Sequence, residues 1–309
     1  MPDKPAAEVI IDSELVRGLL AGQYPQADGL ALSHAADGWD CSVWRLGSDR
    51  AVRLPRRAVA APLVLHEQQW LPAIAQRIRP TGIEVPAPVF AGGPTEDFPW
   101  SWSIVPWIDG GPGLALDRRD RAGWAQPLAA ALEALHVAAP DDHPRNPFRG
   151  APLIERADAV RERIGHLGGT LGAAALRAVS DAWAAGLAAD PWAGVPVWIH
   201  GDLHPGNVIT AGSALAGIID FGDVTAGDPA YDLAVAWLAF DAPARKVFVE
   251  ACGTRVDAAT WTRARAWAAA VTLMLLAHSD DNPPYAALGR ECLAELAQGP
   301  DPTRDAEER

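Results

Sequence analysis

Asp202, Asn207 and Asp220 are the residues whose types and spacing carry the most chemistry. Asp202 and Asn207 lie five residues apart in His200-Gly201-Asp202-Leu203-His204-Pro205-Gly206-Asn207, and Asp220 opens Asp220-Phe221-Gly222. Gly201, Pro205 and Gly206 exclude a regular helix, so the first pair belongs on a loop. Residues 208–210 and 215–219 read as a hairpin turning at 211–213, which returns Asp220 to the side of Asn207. An amide oxygen and a carboxylate are hard donors suited to Mg²⁺, which takes few protein ligands and completes its shell with phosphate oxygens and water. Asp202 is then left to orient an attacking hydroxyl and accept its proton. The chemistry that uses all three is phosphoryl transfer from a nucleotide.

Neighbouring residues read as support. His200 is expected to hold the loop by hydrogen bonds. His200 and His204 are four apart, but the glycine and proline around them break the helix that would align them, so zinc is disfavoured. Asp228 precedes Pro229, the arrangement of a helix start. Asp223 and Asp232 read as structural, Asp223 in a turn.

Such a site needs a scaffold on either side. Residues 30–33, 42–46 and 51–54 read as strands, the last two joined by a turn at 47–49. Leu63, Leu71, Ile74 and Ile78 give residues 62–78 a helical spacing, with Pro72 expected to kink or break it. Residues 85–90 and 103–105 read as further strands. "PWIDGGPG", residues 106–113, is the candidate hinge. Beyond it, helices are expected at 118–138, 153–164, 171–189, 229–240, 260–278 and 285–297. The fold class is therefore α+β with two lobes. Residues 1–105 form a β-rich nucleotide-binding lobe, residues 114–298 a helical lobe with the catalytic loop and acceptor site, and residues 299–309 a charged tail. A hinge between two lobes suits a nucleotide-sized cleft.

Composition narrows the partners. The 309 residues are 49% hydrophobic and carry a formal net charge of -13. That charge argues against nucleic-acid binding and favours a cationic small molecule, or simply solubility. Cys41, Cys252 and Cys292 are scattered, with no C-x-x-C pair, which fits a reducing cytoplasm. The N-terminus has no signal-peptide core, and the apolar stretch 266–277 is far shorter than the ~20 residues of a membrane helix. No membrane contact is expected, and no protein partner is indicated. The only lysines are Lys4 and Lys246.

The spacing H-G-D-x-x-x-x-N followed by D-F-G resembles the catalytic set of protein kinases. In the form "HGDLHPGN", with "IDFGD" at 219–223 and "GDPAYDLA" at 227–234, it resembles the aminoglycoside phosphotransferase family. "RAVRLPRR", "HEQQWLPAI" and "ALEALH" extend the likeness toward the N-terminus. No G-x-x-x-x-G-K-[ST] loop is present, which excludes a P-loop kinase. The resemblance implies a protein-kinase-like fold, ATP or GTP as co-substrate, and Mg²⁺. It implies Asp202 as base, with Asn207 and Asp220 as metal ligands. It also implies a phosphate-holding lysine on the third strand, paired with a helix glutamate. Here the matching residues are Arg53 and Glu67, so an arginine fork replaces a point charge. The phosphate-covering loop carries only Gly38, and Trp107 and Ile108 in the hinge are placed to meet the nucleobase.

By the same resemblance the leading acceptor is an aminoglycoside antibiotic, which would make the enzyme a resistance-type kinase. A macrolide, choline, homoserine or a sugar are alternative acceptors, and a non-catalytic nucleotide-binding scaffold is an alternative class. Asp241, Asp280, Asp281, Glu291 and Glu295 are candidates to meet a cationic acceptor in the outer cleft.

Overall fold

The computed structural model describes residues 5–298. The expected charged tail and Lys4 lie outside them.

Helix α1 (Ser13–Gln23) opens the fold, capped by Asp12, whose side chain accepts the N–H groups of Glu14 and Leu15. Strands β1 (Leu32–Asp37), β2 (Cys41–Leu46) and β3 (Arg50–Pro55) follow, then helix α2 (Ala61–Ile78), then β4 (Phe90–Gly92) and β5 (Trp102–Pro106). The five strands form one antiparallel sheet in the order β1-β2-β3-β5-β4. Its pleat sorts the side chains onto two faces. Trp44, Leu46, Val52, Leu54 and Ile104 pack with Val16, Leu19 and Leu20 of α1. Val43 and Arg53, directly opposite each other, take the other face, where Arg53 meets Glu67 of α2.

Two expectations are corrected here. Residues 85–89 are not a strand: Pro86 and Pro88 have no N–H for a ladder. Glu84 instead pairs with the C-terminal part, its N–H on Ala216 O at 2.9 Å and its carbonyl accepting Ile218 N–H at 2.9 Å. Pro72 does not mark a break, since helix α2 continues through it to Ile78.

The rest is mainly helical. It contains β6 (Gly111–Pro112), α3 (Ala125–Leu135), α4 (Ala157–Leu167), α5 (Ala173–Ala188), β7 (Val197–Ile199), β8 (Val208–Ala211), β9 (Ala214–Ile218) and β10 (Thr225–Gly227). Helices α6 (Ala230–Leu233), α7 (Val235–Ala239), α8 (Ala242–Cys252), α9 (Ala258–His278) and α10 (Pro283–Ala297) complete it. Helix α9 is buried all round, and its alanines let neighbours approach closely: Ala266 abuts Gly186 of α5. Among the described residues no helix is long and apolar enough to cross a membrane.

The helix expected over 118–138 begins as a 3-10 segment, Arg118–Trp124, and ends at Leu135. The one expected over 229–240 is split into α6 and α7. Arg118 caps the end of α7, donating to the carbonyls of Trp237, Leu238 and Phe240 at 2.9–3.1 Å.

Candidate active site

The expected hairpin forms from β8 and β9, turning at Gly212, whose φ of 61° suits the first central position of a two-residue turn. It returns Ile219 to Asn207, with Ile219 N–H donating to Asn207 O at 2.9 Å. β6, inside the expected hinge, pairs with β8 and ties that segment to the hairpin.

The loop before β8 is fixed from inside. His200 Nδ1 accepts the Asp202 N–H at 3.1 Å, and His200 Nε2 donates to Ile219 O at 2.9 Å, which assigns its tautomer. Asp232, wholly buried, accepts the N–H groups of His200 at 2.7 Å and Gly201 at 3.0 Å. Gly201 has φ 85°, and a side chain there would collide with Asp223 O. Asp228 accepts the Ala230 N–H at the start of α6 and holds Arg263 Nε at 2.6 Å.

Asp202 is gripped from both sides. Its Oδ2 accepts Asn207 Nδ2–H at 3.1 Å and faces His204 Nε2 at 3.4 Å, and its Oδ1 faces Arg149 Nη2 at 3.4 Å. Burial alone would push its carboxyl up, but His204 and then Arg149 outweigh it and hold the group well below the ordinary carboxylate range. Asp202 is thus an ionised acceptor at neutral pH.

Asn207 Nδ2 also donates to Asp202 O at 2.8 Å, so both amide hydrogens face Asp202 and Oδ1 is turned away. Asp220 is the one non-glycine residue with positive φ, 63°, among the described residues. That backbone is sparsely populated and is held by the packing around it: Phe221 is buried against His200, ring centroids 4.4 Å apart. Only Oδ1 of the half-exposed Asp220 carboxylate meets Arg53, at 3.2 Å. The donor set fits Mg²⁺: two hard oxygens, Asn207 Oδ1 and Asp220 Oδ2, with room for phosphate oxygens. Among the described residues no group of three or more His, Cys, Asp or Glu could hold a metal ion.

Arg53 Nη1 donates to Glu67 Oε1 at 2.8 Å, while Nη2 reaches Asp220. One guanidinium thereby joins sheet, helix α2 and the D-F-G turn. Glu67 is 2% exposed; burial pushes its carboxyl up, and Arg53 opposes that only in part.

The remaining expected nucleotide contacts sit at the cleft differently. Gly38 closes the β1–β2 turn, its N–H donating to Cys41 O at 2.8 Å, so that amide is not free for phosphate. The Trp107 ring is covered by the Arg45 guanidinium, 4.3 Å from its centroid. Ile108 is buried against Gly217 of β9. Of the late carboxylates, Asp241 caps α8, Glu291 faces Arg118 at 3.4 Å and Glu295 is buried against Arg245 at 3.0 Å. Each of those three has a structural partner in the helical part. Asp280 and Asp281 lie exposed between α9 and α10.

Sequence reasoning missed Arg149, Asn146 and Tyr285. Arg149 and Asn146 come from the irregular segment 139–152, where no periodicity or motif marks them. Tyr285 packs edge-on against His204, centroids 5.5 Å apart.

An ion-paired arginine and glutamate, a loop carboxylate and a second carboxylate after a hairpin define a kinase-type phosphotransferase of protein-kinase-like fold. A family profile described as the phosphotransferase enzyme family matches residues 32–267. The chain belongs to that family. No curated protein gives a significant match. Solved structures match in fold. The GDP complex of aminoglycoside 2'-phosphotransferase-IIIa aligns with TM-score 0.66 at 17% identity, over 93% of this chain and 99% of that one. A GDP and kanamycin complex of an APH(2") enzyme gives TM-score 0.67 at 19% identity, over 91% and 98%. A macrolide 2'-phosphotransferase from Brachybacterium faecium gives 0.54 at 19% identity, over 93% and 98%.

Proposed function

We propose that this phosphotransferase moves the γ-phosphate of ATP or GTP, with Mg²⁺, to a hydroxyl of a small polycationic acceptor, an aminoglycoside being the leading class. The observation that carries the reaction type is the Asp202–Asn207 pair. Asn207 turns its N–H groups to Asp202 and its oxygen outward, so one side chain orients the base and offers a metal ligand. Bound Mg²⁺ would supply charge neutralisation at the phosphates. Asn207 and Asp220 would hold it, Arg53 would grip the phosphates, and Glu67 would fix Arg53. Asp202 receives the acceptor hydroxyl and takes its proton as the oxygen's bond to the γ-phosphorus forms and the bond from that phosphorus to the β-phosphate oxygen breaks, the nucleoside diphosphate leaving. With so low a proton affinity it acts chiefly by orientation, the proton moving late. In this reading the hinge backbone at Trp107 and Ile108 borders the nucleobase.

The acceptor class is supported by charge. Burial raises the Asp40 carboxyl against its ion pair with Arg57, and Asp220 and Asp223 add to the rise, so these three carboxylates act on one another. The kanamycin bound in the fold relative is such a polycation. The test is a mass-spectrometric screen for gain of one phosphate, using aminoglycosides, a macrolide, choline, homoserine and a sugar with ATP and with GTP. An aminoglycoside is expected to turn over with a KM that rises with salt, because screening shortens the attraction to ~8 Å at physiological ionic strength. Efficient turnover of a neutral or singly charged acceptor alone overturns the acceptor class. Absence of any magnesium-dependent transfer overturns the reaction.

A further inference from the structure

Arg149 stands outside every motif, yet it is the cation beside the carboxylate that receives the acceptor. Its own placement is over-determined. Nε and Nη2 donate to Asp223 Oδ2 at 3.2 and 3.0 Å, and Nη1 donates to the Tyr231 hydroxyl at 2.7 Å. Asp223 is held in turn by Asn146 Nδ2–H at 2.8 Å, from the same segment as Arg149. That segment is tied to β10 at two further points. Thr225 Oγ donates to Pro144 O at 2.7 Å, and Gly150 lies so close to Gly227 that a side chain on Gly227 would collide with Gly150 O.

The good hydrogen bonds of the guanidinium thus go to Asp223 and Tyr231, and its approach to Asp202 at 3.4 Å is an ion pair. Asp202 is consequently confined between Asn207 and His204 on Oδ2 and a fixed positive charge on Oδ1. Rotation about its terminal torsion, ordinarily broad for aspartate, would exchange both sets of partners. Oδ2 already meets both Asn207 and His204, so Oδ1, beside Arg149, is the oxygen that keeps acceptor capacity for a further hydroxyl.

We propose that Arg149 is a positioning residue for phosphoryl transfer: anchored by Asp223 and Tyr231, it fixes the Asp202 carboxylate in the orientation that receives the acceptor hydroxyl. This rests on the reaction proposed above. A group that acts through Asp202 leaves nucleotide binding alone, and its effect disappears when Asp202 is changed.

The experiment compares Arg149→Ala, Arg149→Lys and Asp223→Asn with the wild type, each also in an Asp202→Asn background. The readouts are thermal unfolding, magnesium-nucleotide Kd by calorimetry, and kcat on the best acceptor, or on water if hydrolysis is the sole turnover. Arg149→Ala is expected to lower kcat about 10²-fold, the usual cost of a misplaced reacting group. Nucleotide Kd should move by less than about 3-fold, since that interaction is separate from transfer. Arg149→Lys should recover part of kcat, and none of the changes should lower kcat further once Asp202 is asparagine. Wild-type kcat in Arg149→Ala, or full multiplicative losses on top of Asp202→Asn, overturns the proposal. If Arg149→Ala does not fold, Arg149→Lys and Asp223→Asn carry the same comparison. A crystal structure of a folded Arg149 variant decides the matter without an acceptor. A carboxylate turned away from Asn207 supports the role, and an unmoved one overturns it. Failure of all turnover in the wild type counts against the proposed reaction, and the crystallographic arm still judges Arg149.

Discussion

Asp232 accepts the backbone N–H of His200 at 2.7 Å with a carboxylate that has no solvent exposure. The same carboxylate takes Gly201 N–H at 3.0 Å and His136 Nε2–H at 3.1 Å. Asp232→Ala would strand these donors. It is expected to cost at least about 3 kcal/mol, from the usual 1–3 for each of the three stranded groups, and to abolish turnover with it. Asp232→Asn keeps one acceptor and should cost less. Urea unfolding measures both, and equal stability of wild type and Asp232→Ala would refute the loop-anchor role.

Asp202→Asn and Asp220→Ala should separate transfer from binding. Asp202→Asn is expected to lower kcat by about 10²-fold or more while nucleotide affinity stays near wild type. Asp220→Ala should weaken magnesium-nucleotide binding as well. Calorimetry beside steady-state kinetics tells them apart, and near-wild-type turnover in Asp202→Asn removes it as base.

Arg53→Ala leaves Glu67 buried without its cation. The expected loss is about 3–5 kcal/mol of stability, with a raised nucleotide KM and a lowered kcat. Arg53→Lys should keep part of the activity, because the charge survives and the fork does not. The Arg53→Ala/Glu67→Ala pair should be more stable than Arg53→Ala alone, since no uncompensated charge remains. Unfolding midpoints in urea test that order.

Asp257 gives a pH dependence with a definite direction. It caps α9, accepting Thr260 N–H at 2.7 Å, and its carboxyl is lowered by hydrogen bonding to Thr260 against a smaller burial effect. A depressed folded pKa means the ionised cap stabilises above the ordinary carboxylate range. That stabilisation disappears as pH falls through the folded value. Asp257→Ala should cost about 1 kcal/mol at neutral pH, and the gap to wild type should shrink at pH below the ordinary range of about 4. A gap independent of pH contradicts it.

The cysteines should be inert in the folded protein. Burial pushes the thiols of Cys41 and Cys252 up to about 12, and that of Cys292 up as well. A thiol reagent should find no fast site in the native state and all three after denaturation. Rapid labelling of native Cys41, beside Arg53, would show the sheet opening there.

The sequence by itself determined what local rules govern. Glycine and proline around Asp202 and Asn207 forced a loop, and two short apolar segments on either side of 211–213 read as a hairpin, so the approach of Asp220 to Asn207 was legible. Arg53 and Glu67 came into view only through the resemblance, which matches them to a basic residue on the third strand and its helix glutamate. Where local signals conflict, the reading failed: prolines at 86 and 88 removed a strand that apolar content suggested, and 3-10 turns shortened the helix after Asp117. Only the tertiary structure decided the partners of Asp202. Asn207 and His204 are close to it in sequence, but Arg149 lies more than 50 residues upstream in irregular chain, as does Asn146, which holds Asp223, and Tyr285, which packs on His204, sits on α10. No periodicity encodes such meetings, because they depend on how separate segments close over one loop. The same holds for Glu291 and Glu295, whose charge was visible but whose ion pairs with Arg118 and Arg245 depend on which segments pack together.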